Sequence, residues 1–230
     1  MAGMHTVAQG EYMSFIAAEY GFSDWQTIWN LPQNAALKSQ RQNPNVLYPG
    51  DQVYIPDHDT KQVPKPTDKT HKFKLNTTTL NLQLTLQDMY EKPIANAKCV
   101  LSLGGNTINV TTDGNGTIKQ TIPPSTQNGV LVIQDSQTAF NDVQIPILVG
   151  TLDPIDQVSG QIARLNNLGY FAGDPNKPPV GNSDGGDAAP MFATDTFTSA
   201  VEEFQCDNGL TMDGICGPAT QAKLKQVHGC

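Results

Sequence analysis

Residues 201–224, VEEFQCDNGLTMDGICGPATQAKL, contain the signals that end one helix and begin another. Around the start of this stretch, Phe197, Val201 and Phe204 recur at helical spacing, which predicts a helix with one buried face. Gly209 follows an asparagine and can adopt the positive φ that commonly ends a helix. We therefore predict that this helix ends just before Gly209.

The second half of the stretch predicts a turn and then another helix. Leu210 returns to the core, and the Asp-Gly pair at 213–214 is typical of a tight turn. Pro218 suits the first position of a helix, because its missing N–H leaves no helical hydrogen bond unmade there. We expect the following helix to carry Leu224 and Val227 inward.

A third apolar helix face precedes this stretch. Ile162, Leu165 and Leu168 share one face of a predicted helix, and Gly169 suits its end. These three patterns together predict a three-helix domain over residues 151–230.

The residues of this region resemble the peptidoglycan-binding domain that is appended to many cell-wall proteins. The resemblance is carried by Phe204, Gln205, Asn208, Gly209, Leu210, Asp213, Gly214, Gly217, Pro218, Thr220 and Leu224. It implies a peptidoglycan-binding motif made of Phe204, Asn208, Asp213, Gly214, Gly217, Pro218 and Thr220. Asn208, Asp213 and Thr220 are equally suited to turns and helix caps, so both roles stay open at this point.

The domain carries a long insertion over residues 171–190, where the resembling family has a short link. Its composition of Pro, Gly and Asp predicts a solvated, flexible loop. Asp174, Asn182, Asp184 and Asp187 carry oxygen atoms that suit a calcium ligand. These residues lack the alternating oxygen ligands and closing glutamate of a helix-loop-helix calcium site, so we predict no metal.

The sequence pattern over residues 1–57 predicts a small β-α-α-β domain. A short strand that begins with His5, Thr6 and Val7 is followed by a helix for which Ser14 is the expected N-cap. A second helical region runs over about residues 25–41 and is expected to divide at Pro32. The chain then turns into a strand with Val53 and Ile55 on one face.

This N-terminal region resembles a LysM domain. The matching positions are His5, Thr6, Val7, Gly10, Glu11, Ile16, Ala17, Tyr20, Ile28, Pro49, Gly50, Asp51, Val53, Ile55 and Pro56. The resemblance implies a groove for N-acetylglucosamine-containing glycan, formed by Gly10, Glu11, Tyr12, Met13, Asn45, Val46, Leu47 and Tyr48. Tyr12 and Tyr48 would each offer a flat apolar face with a polar tip. The alternative is that these residues only pack the two loops together.

Between the two ends, the sequence predicts a linker over residues 58–71 and a β-sandwich over residues 72–150. The linker is polar and contains proline without apolar periodicity. In the next segment leucines alternate with polar residues over 80–86, and short strand patterns follow at regular intervals between turn signals. This segment resembles Ig-like or transthyretin-like modules. The predicted fold class is thus a multidomain α+β protein.

Composition excludes one class of partner. The chain has 14 Lys plus Arg against 22 Asp plus Glu, a net charge of −8, whereas a nucleic-acid binder needs a basic face.

No apolar run is long enough to cross a bilayer, so no membrane insertion is expected. The first residues lack the pattern of a signal peptide. We therefore expect a cytoplasmic protein, or one exported by a non-Sec route to the periplasm or extracellular space.

A catalytic site is not expected. The four histidines are scattered, and Glu202 and Glu203 are neighbours on a helix and point in different directions. Cys206, Cys216 and Cys230 fall in one domain, and neither a disulfide nor its pairing can be assigned from their spacing. With His228 they match no standard zinc pattern, so no cofactor is predicted.

Two functional hypotheses follow. The first is a non-catalytic protein that binds peptidoglycan or a chito-oligosaccharide-like glycan. The second is an adaptor that binds effector or spike proteins of a contractile, type VI-like injection system. The second hypothesis depends on the absence of a signal-peptide pattern and on the long segment over residues 30–45, which resembles LysM variants found alongside such systems.

Overall fold

The computed structural model describes residues 2–58, 64–72, 79–88, 90–178 and 191–230, with the side chains of residues 191–195 excepted. The chain divides into two compact units, Met1–Thr151 and Leu152–Cys230. The fold is mixed α+β, with helices and strands in the first unit and helices in the second.

The first unit begins with an N-terminal module, residues 2–58. Strand β1 (Gly3–Thr6) pairs antiparallel with strand β2 (Gln52–Ile55). Between them lie helix α1 (Met13–Glu19), helix α2 (Gln26–Trp29), a 3-10 helix (Pro32–Asn34) and helix α3 (Ala35–Arg41). The predicted division at Pro32 is confirmed, since the proline begins the 3-10 helix.

The N-terminal module has its own buried cluster, which includes Ile16, Ile28 and Val53. The buried Asn34 ties the 3-10 helix to β2: its amide donates to Ile28 O and Tyr54 O, each at 2.9 Å, and accepts from Tyr54 N at 2.8 Å. These three bonds satisfy the buried amide and fix where the helices sit against the strand pair.

The prediction that Ser14 caps α1 was wrong. The helix begins at Met13 with Tyr12 in the N-cap position, and no side chain caps it. Ser14 is buried, and its hydroxyl has no hydrogen-bond partner among the described residues. The apolar spacing placed this helix correctly, but a serine near its start carried no information about the first residue.

The first unit continues with a middle module, residues 79–150. Strand β3 (Leu80–Thr85) pairs with β6 (Thr117–Ile122) in a two-stranded sheet. A four-stranded antiparallel sheet has the order β5 (Asn106–Thr111), β4 (Lys98–Leu103), β7 (Asn128–Ile133), β8 (Gln144–Leu148). Residues of both sheets contribute to one buried cluster, which includes Leu101, Ile118 and Leu131. In β8, at the edge of its sheet, Pro146 lies opposite Val130.

The second unit contains helices α4 (Val158–Asn167), α5 (Met191–Asp207) and α6 (Pro218–His228). The core is built from Ile162, Leu165, Val201, Phe204 and Leu224, which are all fully buried. None of the helices in the described parts of the chain is long and apolar enough to span a bilayer.

The local helix signals of the second unit are confirmed. Gly169 (φ 96) and Gly209 (φ 64) adopt positive φ just after α4 and α5, and Pro218 begins α6 after Gly217 in the N-cap position. The prediction that Val227 points inward was wrong: it is 44% exposed on the last turn of α6.

The insertion is described only in part. Asp174 accepts the backbone N–H of Asn176 at 2.9 Å, an ordinary turn contact. The other three candidate calcium ligands, Asn182, Asp184 and Asp187, lie outside the described residues.

Candidate functional site

The C-terminal unit has one buried amide that organises a whole loop. Gln205 lies on α5 and is 1% exposed. Its Oε1 accepts the backbone N–H groups of Asp213 at 3.0 Å and Gly214 at 3.1 Å. Its Nε2 contacts Asp213 Oδ1 at 2.8 Å, Ile215 O at 3.1 Å and Thr220 Oγ1 at 3.0 Å. A single side chain therefore ties α5, the loop over residues 210–217 and the first turn of α6 together.

Asp213 completes this network from the loop side. Its Oδ1 also accepts the backbone N–H of Ile215 at 2.9 Å. The hydrogen bond from Gln205, and then that from Ile215, lower the pKa of the Asp213 carboxyl group, because both favour the charged form. The carboxylate therefore stabilises the turn to which it belongs.

Gly214 allows the turn to lie close against α5. Its φ is +67, and a Cβ at this position would lie 2.6 Å from Thr198 Cγ2 and 3.2 Å from Glu202 Oε1. A side chain at 214 would therefore push the loop away from the helix. The glycine signal in the sequence corresponds to a close approach as well as to a turn.

The organised loop presents two apolar side chains to solvent. Met212 is 61% exposed and Ile215 is 65% exposed. They flank the turn that Gln205 holds in place. Large exposed apolar residues on a loop with a fixed conformation form a surface that can bind a ligand with little loss of conformational entropy.

The predicted motif residues take mostly structural positions in this arrangement. Phe204 and Thr220 are buried, and Asn208 donates from Nδ2 to Phe204 O at 2.9 Å, at the end of α5. Gly217 and Pro218 start α6. The structure brings Asp213, Gly214 and Thr220 together around Gln205. Asn208 and Asp213 therefore take the helix-end and turn roles left open for them, whereas Thr220 caps no helix and contacts Gln205 instead. The role of all three residues as ligands stays a prediction.

The sequence pattern missed the centre of this site. Gln205 belongs to the residues that carry the family resemblance but was not singled out as functional. The one available signal was a glutamine directly beside Phe204, within the apolar face of a predicted helix. A buried amide at such a position must find partners, and those partners are now seen to be the 210–217 loop.

Comparison with known proteins gives one match, and it covers this part of the chain. The family model for the peptidoglycan binding domain matches residues 163–224. The matched range holds the C-terminal part of α4, all of α5, the 210–217 loop and Gln205. A peptidoglycan-binding domain is thus found in this part of the chain, as its residues predicted. The searches of curated proteins and of solved structures returned no match.

A second buried polar group of this unit joins α4 to the segment before it and to the end of the chain. Arg164 on α4 is 2% exposed. Its Nη1 donates to Asp153 O and Gly160 O, each at 2.8 Å, and its Nε donates to Cys230 O at 2.9 Å. Burial lowers the pKa of this guanidinium, because it disfavours the charged form. Sequence reasoning did not identify Arg164, since arginine is rarely buried.

A thiol and an imidazole lie next to each other at the end of α6. His228 Nδ1 is 3.1 Å from Cys230 Sγ, and His228 Nε2 is 3.1 Å from Asn167 Nδ2. Burial, and then the positive charge of Arg164, lower the pKa of His228 to about 4, while burial raises the pKa of the Cys230 thiol. Such an imidazole is too weak a base to take the proton from this thiol, so the pair is poorly suited to nucleophilic catalysis.

The two loops predicted to form a glycan groove lie together in the N-terminal module. The backbone N–H of Met13 donates to Pro44 O at 2.9 Å and joins them. Glu11 Oε2 accepts from His5 Nε2 and from the backbone N–H of Ala8, both at 2.8 Å. Gly10, Tyr12, Met13, Val46 and Leu47 are buried, Glu11 and Tyr48 are half-buried, and Asn45 is exposed. The glycan role of these residues stays a prediction.

Tyr12 does not present its ring to solvent, as would be needed for the flat glycan-contact surface predicted from the sequence. Its ring is 1% exposed, and its hydroxyl group lies 2.6 Å from Thr126 O and 2.9 Å from Pro124 O in the middle module. Burial raises the pKa of Tyr12 to about 12. In this conformation the ring faces protein rather than solvent.

Alkaline pH should break this contact. The folded pKa of Tyr12 is raised, so the stabilisation is fully present below the pKa of an exposed tyrosine, about 10, and is lost as the pH rises toward about 12. We expect the free energy of unfolding of the wild-type protein to fall more steeply between pH 10 and 12 than that of Tyr12→Phe. Denaturant titration at several pH values measures this difference. Parallel pH profiles for the two proteins would contradict it.

Proposed function

We propose that this chain is a non-catalytic peptidoglycan-binding protein whose C-terminal domain contacts the wall through the 210–217 loop. The observation that carries the proposal is the family match over residues 163–224, within which Gln205 holds one loop in a fixed conformation. The poor basicity of His228 beside Cys230 supports the non-catalytic part.

The chemistry of the loop suits this ligand. Peptidoglycan offers two kinds of apolar surface, the C–H faces of its sugar rings and the methyl groups of its alanine residues. Met212 and Ile215 can pack against either, and fully burying one such side chain is worth about 1.5–3 kcal/mol. Because the loop is already ordered, little of that free energy is lost in fixing it.

A double substitution tests the loop. We expect Met212→Asp with Ile215→Asp to weaken binding to purified sacculi by roughly tenfold to a hundredfold, since two partly buried apolar contacts are lost. Co-sedimentation at a series of sacculus concentrations measures the change. Both side chains are exposed, so the fold should be retained.

The matched control is Met4→Asp with Leu148→Asp, which places the same two charges on exposed apolar residues of the first unit. This variant should sediment like the wild type. Equal sedimentation of the loop variant and the wild type would refute the loop as the contact. Failure of the wild type itself to sediment would refute peptidoglycan binding.

We propose further that the N-terminal module is a second, LysM-like glycan-binding module. Its support is the sequence resemblance and the two joined loops at Met13 and Pro44. Two weak sites on one chain would strengthen binding to a polymeric wall, provided that both can engage at once.

An adaptor of a contractile injection system is the second candidate. It is supported by the long segment over residues 30–45 of the N-terminal module, which resembles variants associated with such systems. It would place the chain outside the cytoplasm together with effector or spike proteins. A native pull-down scored for sheath, tube and spike components tests it, and their absence from the captured material would count against it.

A further inference from the structure

Tyr12 is buried by a different part of the chain from the rest of its module. Its ring does not belong to the buried cluster around Ile16 and Val53. It lies instead beneath the turn between β6 and β7, where its hydroxyl group donates to the carbonyl groups of Pro124 and Thr126. The N-terminal module therefore buries this large side chain against the middle module rather than in its own core.

Gly150 provides the space for this ring. A Cβ at Gly150 would lie 2.3 Å from Tyr12 Cδ1 and 2.7 Å from Gly10 O, and the glycine adopts φ +81. A side chain at this position would clash with the ring and would also be strained. The segment after β8 is thus shaped to accept the tyrosine.

Two neighbouring residues extend the contact. Gln9 Nε2 donates to Thr151 O at 3.2 Å. A Cβ at Gly10 would come within 3.8 Å of Thr151 Cγ2. We call this whole set the Tyr12 contact: Gln9, Gly10 and Tyr12 on one side, and Pro124, Thr126, Gly150 and Thr151 on the other.

The Tyr12 contact involves the same loop that the sequence resemblance assigns to glycan binding. Gly10 and Tyr12 cannot face a sugar while they face Gly150 and the β6–β7 turn. The second predicted loop is joined to the first through Met13 and Pro44, so it is tied to the same contact.

We infer that the Tyr12 contact is autoinhibitory: the middle module covers the glycan-binding loop of the N-terminal module, and the contact must open before that loop can bind a wall glycan. This inference rests on the proposed glycan role of the N-terminal module. The apparent affinity of that module is then its intrinsic affinity reduced by the small fraction of molecules in which the contact is open. Weakening the contact raises that fraction and with it the affinity.

Two substitutions open the contact from opposite sides. Tyr12→Phe leaves the ring in place but leaves the carbonyl groups of Pro124 and Thr126 without the hydroxyl donor. Gly150→Ala introduces the clash with the ring. The control is Tyr20→Phe, which removes a hydroxyl group that contacts His5 Nδ1 at 3.1 Å inside the N-terminal module.

Hydrogen exchange on the full chain measures how often the Tyr12 contact opens. Calorimetric titration with a soluble N-acetylglucosamine tetramer measures the affinity of the loop for glycan. We expect Tyr12→Phe and Gly150→Ala to raise the exchange rates of the amides over residues 9–13 and to bind the tetramer at least tenfold more tightly than the wild type. Tyr20→Phe should change neither measurement.

The outcomes separate this inference from the proposed function. Faster exchange with unchanged or weaker tetramer binding overturns autoinhibition and leaves a purely structural contact. Unchanged exchange in both variants shows that the contact does not open and overturns the inference directly. If no variant binds the tetramer, the inference also fails, while sacculus binding through the 210–217 loop is scored independently by the variant of Met212 and Ile215.

Discussion

Replacing Gln205 by leucine should lower the free energy of unfolding of the C-terminal unit by about 3–5 kcal/mol and weaken binding to sacculi, which then depends on the N-terminal module. Leucine has a similar size but no amide. The substitution leaves the N–H groups of Asp213 and Gly214, the Ile215 carbonyl and the Thr220 hydroxyl without the partner that Gln205 provides. The Thr220 contact is buried and the other three are part-buried. An unpaired buried group costs about 1–3 kcal/mol, and the part-buried groups recover part of this cost from water.

The two units can be followed by different signals. Both tryptophans, Trp25 and Trp29, lie in the N-terminal module, so tryptophan fluorescence reports only the first unit. The helical circular dichroism signal includes α4, α5 and α6 of the second unit. We expect Gln205→Leu to shift the dichroism transition in denaturant and to leave the fluorescence transition unchanged.

The matched control is Gln221→Leu, which removes another glutamine of the same unit. Gln221 makes one side-chain bond, from Nε2 to Cys216 O at 2.9 Å. We expect it to cost no more than about 1 kcal/mol. If both glutamine variants unfold at the same denaturant concentration as the wild type, the organising role of Gln205 is wrong.

Replacing Arg164 by methionine is the second large effect that we expect. The side chain of methionine fills much of the same volume, but the carbonyl groups of Asp153, Gly160 and Cys230 lose their donors. Each buried carbonyl group left without a donor costs about 1–3 kcal/mol, so the expected loss is about 3–5 kcal/mol. Denaturation followed by circular dichroism measures this loss, and Lys225→Met, which removes an exposed cation of α6, should have little effect.

Arg164→Met has a second readout that a general loss of stability would not produce. The positive charge of Arg164 disfavours the imidazolium form of His228, so its removal should raise the pKa of His228 from about 4. Burial remains the larger cause, so the pKa should stay below its ordinary value. Histidine C–H signals followed by NMR across pH give the result, with a His228→Gln variant for assignment. An unchanged pKa in a folded variant would contradict the assigned role of Arg164.

Features that depend on a residue's own backbone preferences were predicted correctly from the sequence, whereas features that depend on partners far along the chain were not. Gly209 and Pro218 end and begin helices through their own backbone preferences, and both were placed correctly. Tyr12 is explained by a partner 114 residues away, at Thr126, and one of the three hydrogen bonds of Arg164 goes to Cys230, 66 residues away. No local pattern contains such a partner.

Side-chain chemistry explains the remaining misreadings. A tyrosine suits a sugar surface and a buried contact with carbonyl groups equally well, because it combines an apolar ring with a polar tip. Ser14 and Val227 were misplaced by their positions near helix ends, where one residue of register changes whether a side chain is buried.

Pro146 in β8 affects whether the middle module can associate with other copies of this chain through the edge of its sheet. An edge strand normally offers a row of unpaired N–H and C=O groups onto which another chain can add a strand. Pro146 has no N–H to offer, and it interrupts that row at the middle of β8. The opposite edge strand, β5, reads NTINVT and is mostly polar. The β8 edge therefore offers a poorer template for a strand of another copy than an uninterrupted edge would.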